Sequence, residues 1–71
     1  MSKEKYIIKF DDGTFLKKGM PKYYRNGTSV IEQVKQISDA RIFDDYEKAE
    51  AVRADLISIV FMMKCEIEVK P

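Results

Sequence analysis

Cys65 and the acid pairs Asp11-Asp12 and Asp44-Asp45 are the side chains here whose types could support catalysis or metal binding. A nucleophilic thiol needs a base to activate it, and the chain has no histidine. Cys65 alternates with Ile67 and Val69, which fits a small buried apolar side chain. The acid pairs sit where structure accounts for them: Asp11-Asp12 runs into Gly13 at a turn, and Asp44-Asp45 precedes a helix-like run. Neither pair has the alternating spacing of a calcium loop. The usual zinc sets combine cysteine and histidine, and a single cysteine cannot supply them. The residues therefore predict no enzyme activity, no metal and no cofactor.

Two other constellations point to contact. The first is the segment Lys17-Lys18-Gly19-Met20-Pro21-Lys22-Tyr23-Tyr24-Arg25. Lys17, Lys18, Lys22 and Arg25 could meet phosphates or an acidic protein surface, and Tyr23 and Tyr24 could stack on bases. A solvated loop whose tyrosines pack on a sheet edge explains the same composition. The second is the run from Asp44 to Met63. Its second half, Leu56-Ile57-Ser58-Ile59-Val60-Phe61-Met62-Met63, is apolar nearly all round. Such a helix is enclosed by its own fold or completes its burial on another molecule.

At about 100° per residue, Ala49, Val52, Leu56, Ile59, Val60 and Met63 form the inward stripe of that helix. Tyr46, Glu50, Arg53, Ile57 and Phe61 form a second stripe beside it, and Met62 lies off the opposite edge. A curling sheet could cover this flank. An interface, with a second copy or with another protein, would use it as well, since aromatics and methionine are common anchors. Ile57, Phe61 and Met62, with Tyr46 and Arg53, are the candidate interface residues.

With 71 residues there is room for one domain spanning residues 1–71 and one modest core. Small scaffolds commonly add disulfides, metals or oligomerisation, and one cysteine rules out an internal disulfide. The net charge is +1, but it is unevenly spread. Residues 1–35 carry eight basic and four acidic side chains, whereas residues 36–71 carry five basic and eight acidic ones. That makes a dipolar surface able to orient a charged partner. It is weaker than the basic excess of a dedicated nucleic-acid binder. No apolar run approaches the roughly 20 residues needed to cross a bilayer. Met1-Ser2-Lys3-Glu4-Lys5 has no apolar signal core. The expectation is a reducing, cytoplasmic setting with no membrane partner.

The elements that would hold these residues are few. Tyr6-Ile7-Ile8-Lys9-Phe10 and Thr14-Phe15-Leu16-Lys17-Lys18 flank Asp12-Gly13, a strong hairpin signal. A two-residue turn at Asp12-Gly13 sets Phe10 opposite Phe15 and Ile8 opposite Lys17. The aromatic pair would contribute roughly 0.2–1 kcal/mol. Residues 19–29 read as a connection punctuated by Gly19, Pro21 and Asn26-Gly27, with Tyr23 and Tyr24 in a short extended piece. Residues 30–37 fit a helix by the spacing of Val30, Ile31, Val34 and Ile37 and by a Ser29-x-x-Glu32 capping box. They also fit a strand with Val30 and Val34 on one face. Ser38-Asp39-Ala40 is a turn, and Arg41-Ile42-Phe43 an extended lead into the helix. Asp44 would cap that helix, with Glu47 at its third position. Lys64 to Lys70 alternates as a final strand, with Cys65, Ile67 and Val69 on one face and Glu66 and Glu68 on the other.

Lys5-Tyr6-Ile7-Ile8-Lys9-Phe10, Asp12 to Lys17, Ser38 to Phe43, Tyr46-Glu47-Lys48-Ala49-Glu50 and Glu66-Ile67-Glu68-Val69 follow a familiar order. In this order the chain resembles small uncharacterised accessory proteins of phages and prophages of low-GC Gram-positive bacteria. Those share a hairpin, an Ala-x-x-Phe step into a helix starting near Tyr-Glu-x-Ala-Glu, and a closing strand. The resemblance leaves out residues 19–37 and carries no functional residues. It implies that residues 30–37 form a third strand. The expected fold is α+β: a small antiparallel sheet made of the N-terminal hairpin, third strand and C-terminal strand, with one main helix on one face. The resemblance also implies a stoichiometric binder of a larger host or immune protein, as anti-CRISPR proteins are. The alternative is a nucleic-acid-binding accessory module using the basic, tyrosine-bearing half.

Overall fold

Two hairpin loops with one shared chemistry organise the N-terminal half. The computed structural model describes residues 4–59 and 64–71. In the first loop, Phe10 N–H donates to Thr14 O (2.8 Å) and Gly13 N–H to Phe10 O (3.0 Å). The Asp12 carboxylate accepts from the Thr14 amide at 3.0 Å and from its hydroxyl. In the second, Tyr24 N–H donates to Thr28 O (3.0 Å) and Gly27 N–H to Tyr24 O (3.1 Å). There the Asn26 side-chain oxygen accepts from the Thr28 amide at 3.1 Å and from its hydroxyl. Each is a three-residue loop with glycine last, at φ 88° for Gly13 and 85° for Gly27. The side-chain oxygen one residue earlier mimics a backbone turn.

The first loop corrects the expected register. A two-residue turn of the hairpin type needs positive φ at both central residues, and among the described residues only glycines have it. The loop is therefore Asp11-Asp12-Gly13, and Lys9, not Phe10, lies opposite Phe15. Ile8 consequently faces Leu16 instead of Lys17. The Phe10–Phe15 pair does not form, and the two rings lie on opposite faces of the sheet.

That shift gives the sheet two covered faces. Strands β1 (Tyr6–Phe10), β2 (Phe15–Leu16), β5 (Gln33–Val34) and β6 (Cys65–Val69) form an antiparallel sheet in the order β5-β2-β1-β6. The main helix α1 (Tyr46–Ile59) covers one face. Ile8, Phe10, Leu16, Met20, Phe43, Ala49, Leu56 and Cys65 form the core there, with Val52, Ile31 and Ile67 packed against it. On the other face Ile7, Phe15 and Ala40 make a smaller cluster with Val34 and Ile37. Burying one such aliphatic side chain contributes about 1.5–3 kcal/mol. The α+β architecture is as expected; the second apolar face is an addition to it.

Residues 30–37 are neither a helix nor one continuous strand. Strands β3 (Lys22–Tyr23) and β4 (Ser29–Val30) pair as a separate two-stranded sheet closed by the second loop. The chain then crosses to β5, where Val34 lies opposite Phe15. The stretch is divided between two pairings, Val30 in the β3–β4 hairpin and Gln33–Val34 against β2. Glu32 does not close a capping box; its carbonyl accepts from Lys17 N–H (3.0 Å), and its carboxylate lies 3.3 Å from Lys17 Nζ. A 3-10 turn spans Ile37–Asp39. Beyond it, Ala40 bridges to Lys17 and Phe43 to Tyr6. Arg41 sits over the Phe43 ring at 4.8 Å and donates to Met20 O at 2.7 Å, holding the cis Met20-Pro21 segment to the core.

The cap of α1 falls one residue later than expected. Asp45 accepts from Glu47 N–H at 3.0 Å, and its carbonyl takes the first helical bond from Ala49 (3.2 Å). Asp44 pairs instead with Lys5. Ala49 and Leu56 point inward as expected. The Ile59 side chain and residues Val60, Phe61, Met62 and Met63 lie outside what the structure describes.

Candidate functional site

The flank of α1 is a row of ordered polar contacts that ends on exposed apolar surface. Tyr46 is 52% exposed, and its ring meets Tyr6 edge-on with centroids 5.5 Å apart. Arg53 is held twice: Nε donates to the Cys65 carbonyl at 3.0 Å, and the guanidinium lies 3.3 Å from the Glu50 carboxylate. One turn further, Ile57 is 38% exposed. These are the positions that the helical repeat of about 100° aligns. Tyr46, Glu50 and Arg53 line an open groove whose other wall is Glu66 and Ile67 of β6. Of the candidate anchors, Ile57 is thus a surface side chain, while Phe61 and Met62 lie outside the described residues.

Two of the basic and aromatic residues, Lys17 and Tyr23, have side-chain partners elsewhere in the fold. Lys17, at the end of β2, pairs with Glu32. Tyr23 is 58% exposed, yet its hydroxyl donates to Asp55 Oδ2 on α1 at 3.1 Å. Partial desolvation, then the Asp55 carboxylate, push the Tyr23 phenol above its ordinary value. By strand alternation Lys22 on β3, and Tyr24 just after it, lie on the face opposite Tyr23, with Arg25 in the loop beyond. Lys18 is exposed in the turn after β2. The arrangement gives a short hairpin presenting Lys22, Tyr24 and Arg25, with Tyr23 turned to the helix.

Cys65 is 4% exposed on the helix-facing side of β6. Burial pushes its thiol up, partly opposed by the Arg53 charge. Among the described residues no cluster of three or more metal-ligating side chains occurs. No described helix is long and apolar enough to cross a membrane.

Two surface features go beyond the sequence pattern. The β3–β4 hairpin replaces the expected connection, and its signal is present in the chain: Asn26-Gly27-Thr28 repeats the chemistry of Asp12-Gly13-Thr14. The strand β6 closes the sheet as expected but leaves an edge, and Val69, at its end, is 50% exposed. No family model, curated protein or solved structure matches this chain.

Proposed function

We propose that this chain is a non-enzymatic phage or prophage protein that binds a larger host or immune protein and modulates it stoichiometrically inside the bacterial cell. The observation that carries this reading is Ile57, an apolar side chain exposed on the flank of α1 one turn beyond the hydrogen-bonded Arg53, with Tyr46 at the start of the same flank. An aliphatic side chain sharing a helix flank with a hydrogen-bonded arginine and an aromatic is a composition enriched at interfaces. The flank can close on a partner protein or on a second copy, with Phe61 and Met62 adding anchors. Lys18, Lys22, Tyr24 and Arg25 would steer an acidic partner toward the molecule. The sequence resemblance supplies the cellular setting.

The test is affinity capture from a lysate of a low-GC Gram-positive host, with light scattering on the purified chain. The reading expects a stoichiometric protein partner, or a dimer of the chain itself. A strict monomer that retains no protein would contradict it.

A further inference from the structure

The sheet ends on β6, and the outer edge of that strand is open. Asp11 N–H donates to Lys64 O (3.1 Å) and Lys70 N–H to Lys5 O (2.7 Å), at the two ends of a register that sets Glu66 against Lys9 and Glu68 against Ile7. Antiparallel ladders bond through alternate residues, so the even residues of β6 face β1. The backbone groups of Cys65, Ile67 and Val69 therefore point away from the sheet. One of them is used, the Cys65 carbonyl, which accepts from Arg53 Nε. Among the described residues, the outward N–H and C=O groups of Ile67 and Val69 have no partner. The groove between α1 and this edge is lined by Tyr46, Glu50, Arg53, Glu66 and Ile67.

We propose that the β6 edge takes up an extended segment of a partner protein as an additional strand, and that this segment alternates basic and apolar residues. Added strands gain main-chain hydrogen bonds from the edge and specificity from alternate side chains. On the α1 side the newcomer meets Ile67, exposed Val69 and the Tyr46 ring, which suit apolar side chains, beside the Glu50–Arg53 ion pair. On the other side it meets Glu66 and Glu68 at the centre of the strand. Glu66 is exposed, and among the described residues Glu68 is paired with Lys9 alone, at 4.0 Å. Lysine or arginine opposite these carboxylates is favourable, whereas like charges directly opposite destabilise.

The same charges disfavour a second copy. With Ile67 opposite its own copy, Glu66 meets Glu68 at two places. With Ile67 opposite Val69, Glu66 gains Lys70, but Glu68 meets Glu68 and the acidic halves of both molecules come together. With Val69 opposite Val69, Ile67 meets Pro71, which has no N–H to donate. Charged edges of this kind are a known guard against self-pairing.

The test is fluorescence anisotropy of a short labelled peptide of alternating lysine and valine, with an alternating glutamate–valine peptide as control. The intact chain should bind the lysine peptide, with amide shifts at Ile67 and Val69. Val69→Pro removes an outward donor and leaves the ladder to β1 intact, so it should weaken binding about tenfold or more. Exposed Glu66→Lys should transfer preference to the glutamate peptide; a thermal melt of each variant verifies folding. No binding, equal binding by both variants, shifts centred on Lys22 and Arg25, or self-association that protects the Ile67 amide would each overturn the proposal. The inference does not depend on the Ile57 anchor, and peptide binding and partner capture are read separately.

Discussion

Tyr23 on β3 donates a hydrogen bond to Asp55 on α1 across 3.1 Å, joining two elements 32 residues apart in sequence. The bond fixes one face of the second hairpin toward the helix. It also commits the phenol to a carboxylate, which works against stacking on a base or approaching a phosphate.

The Tyr23 phenol titrates above its ordinary value of 10.0. A group whose folded-state pKa is raised stabilises the fold fully below the unfolded value and loses that contribution as pH rises through the folded one. The docked hairpin should accordingly loosen only on the alkaline side of pH 10.0, through the raised value. An NMR titration of the Tyr23 ring is the measurement, and Asp55→Asn should lower the midpoint. An unchanged midpoint would mean that Asp55 is not the partner in solution.

The side chains that accept from the threonines in the two hairpin loops differ in one charge, Asp12 against Asn26, and this makes them mutual controls. Asp12 titrates below its ordinary value of 3.8, because the Thr14 hydroxyl and then the Thr14 amide donate to its carboxylate. For a depressed acid the stabilisation is present above the unfolded value and lost as pH falls through the folded one. Acidification below pH 3.8 should therefore move the Thr14 amide resonance. The Thr28 amide is held by uncharged Asn26 at 3.1 Å and should stay still. Equal movement of both amides would contradict this assignment.

The same loops mark how far the sequence reaches toward the fold. Asp12-Gly13 announces a hairpin, but a glycine alone does not count the loop residues. The choice between two and three depends on whether Asp12 adopts positive φ, and its bond to Thr14 favours the longer loop. That single residue of register moves Phe15 to the far face and makes room for a second apolar cluster with Ala40 and Val34. The helix is legible because Ala49 and Leu56 keep a clean repeat over a capped start. Residues 30–37 are not, because β4 takes only Val30 of them and β5 only Gln33–Val34, and neither strand is long enough to show a period. Of the candidate site, the alignment of Tyr46, Arg53 and Ile57 follows from helical geometry. The division of the basic segment does not, since the partners of Lys17 and Tyr23 lie 15 and 32 residues away.

Stability should concentrate on the helix-facing side. Ile8 and Leu56 are buried to within 2%. Replacing either by alanine should cost about 2–5 kcal/mol in denaturant unfolding, against a total of about 4–11 kcal/mol for a domain of this length. Exposed Val69→Ala should shift stability by less than about 0.5 kcal/mol. Losses of similar size at all three positions would place the core elsewhere.

The proposed function places a partner on the apolar surface of the α1 flank. Its most direct measurement compares the partner retained from one host lysate by the wild-type chain and by Ile57→Asp, with far-UV circular dichroism showing that both are folded. The wild type should hold a stoichiometric partner, and the variant should retain at least about tenfold less of it. Equal retention by both, or none by either with the wild-type chain monomeric, would contradict it.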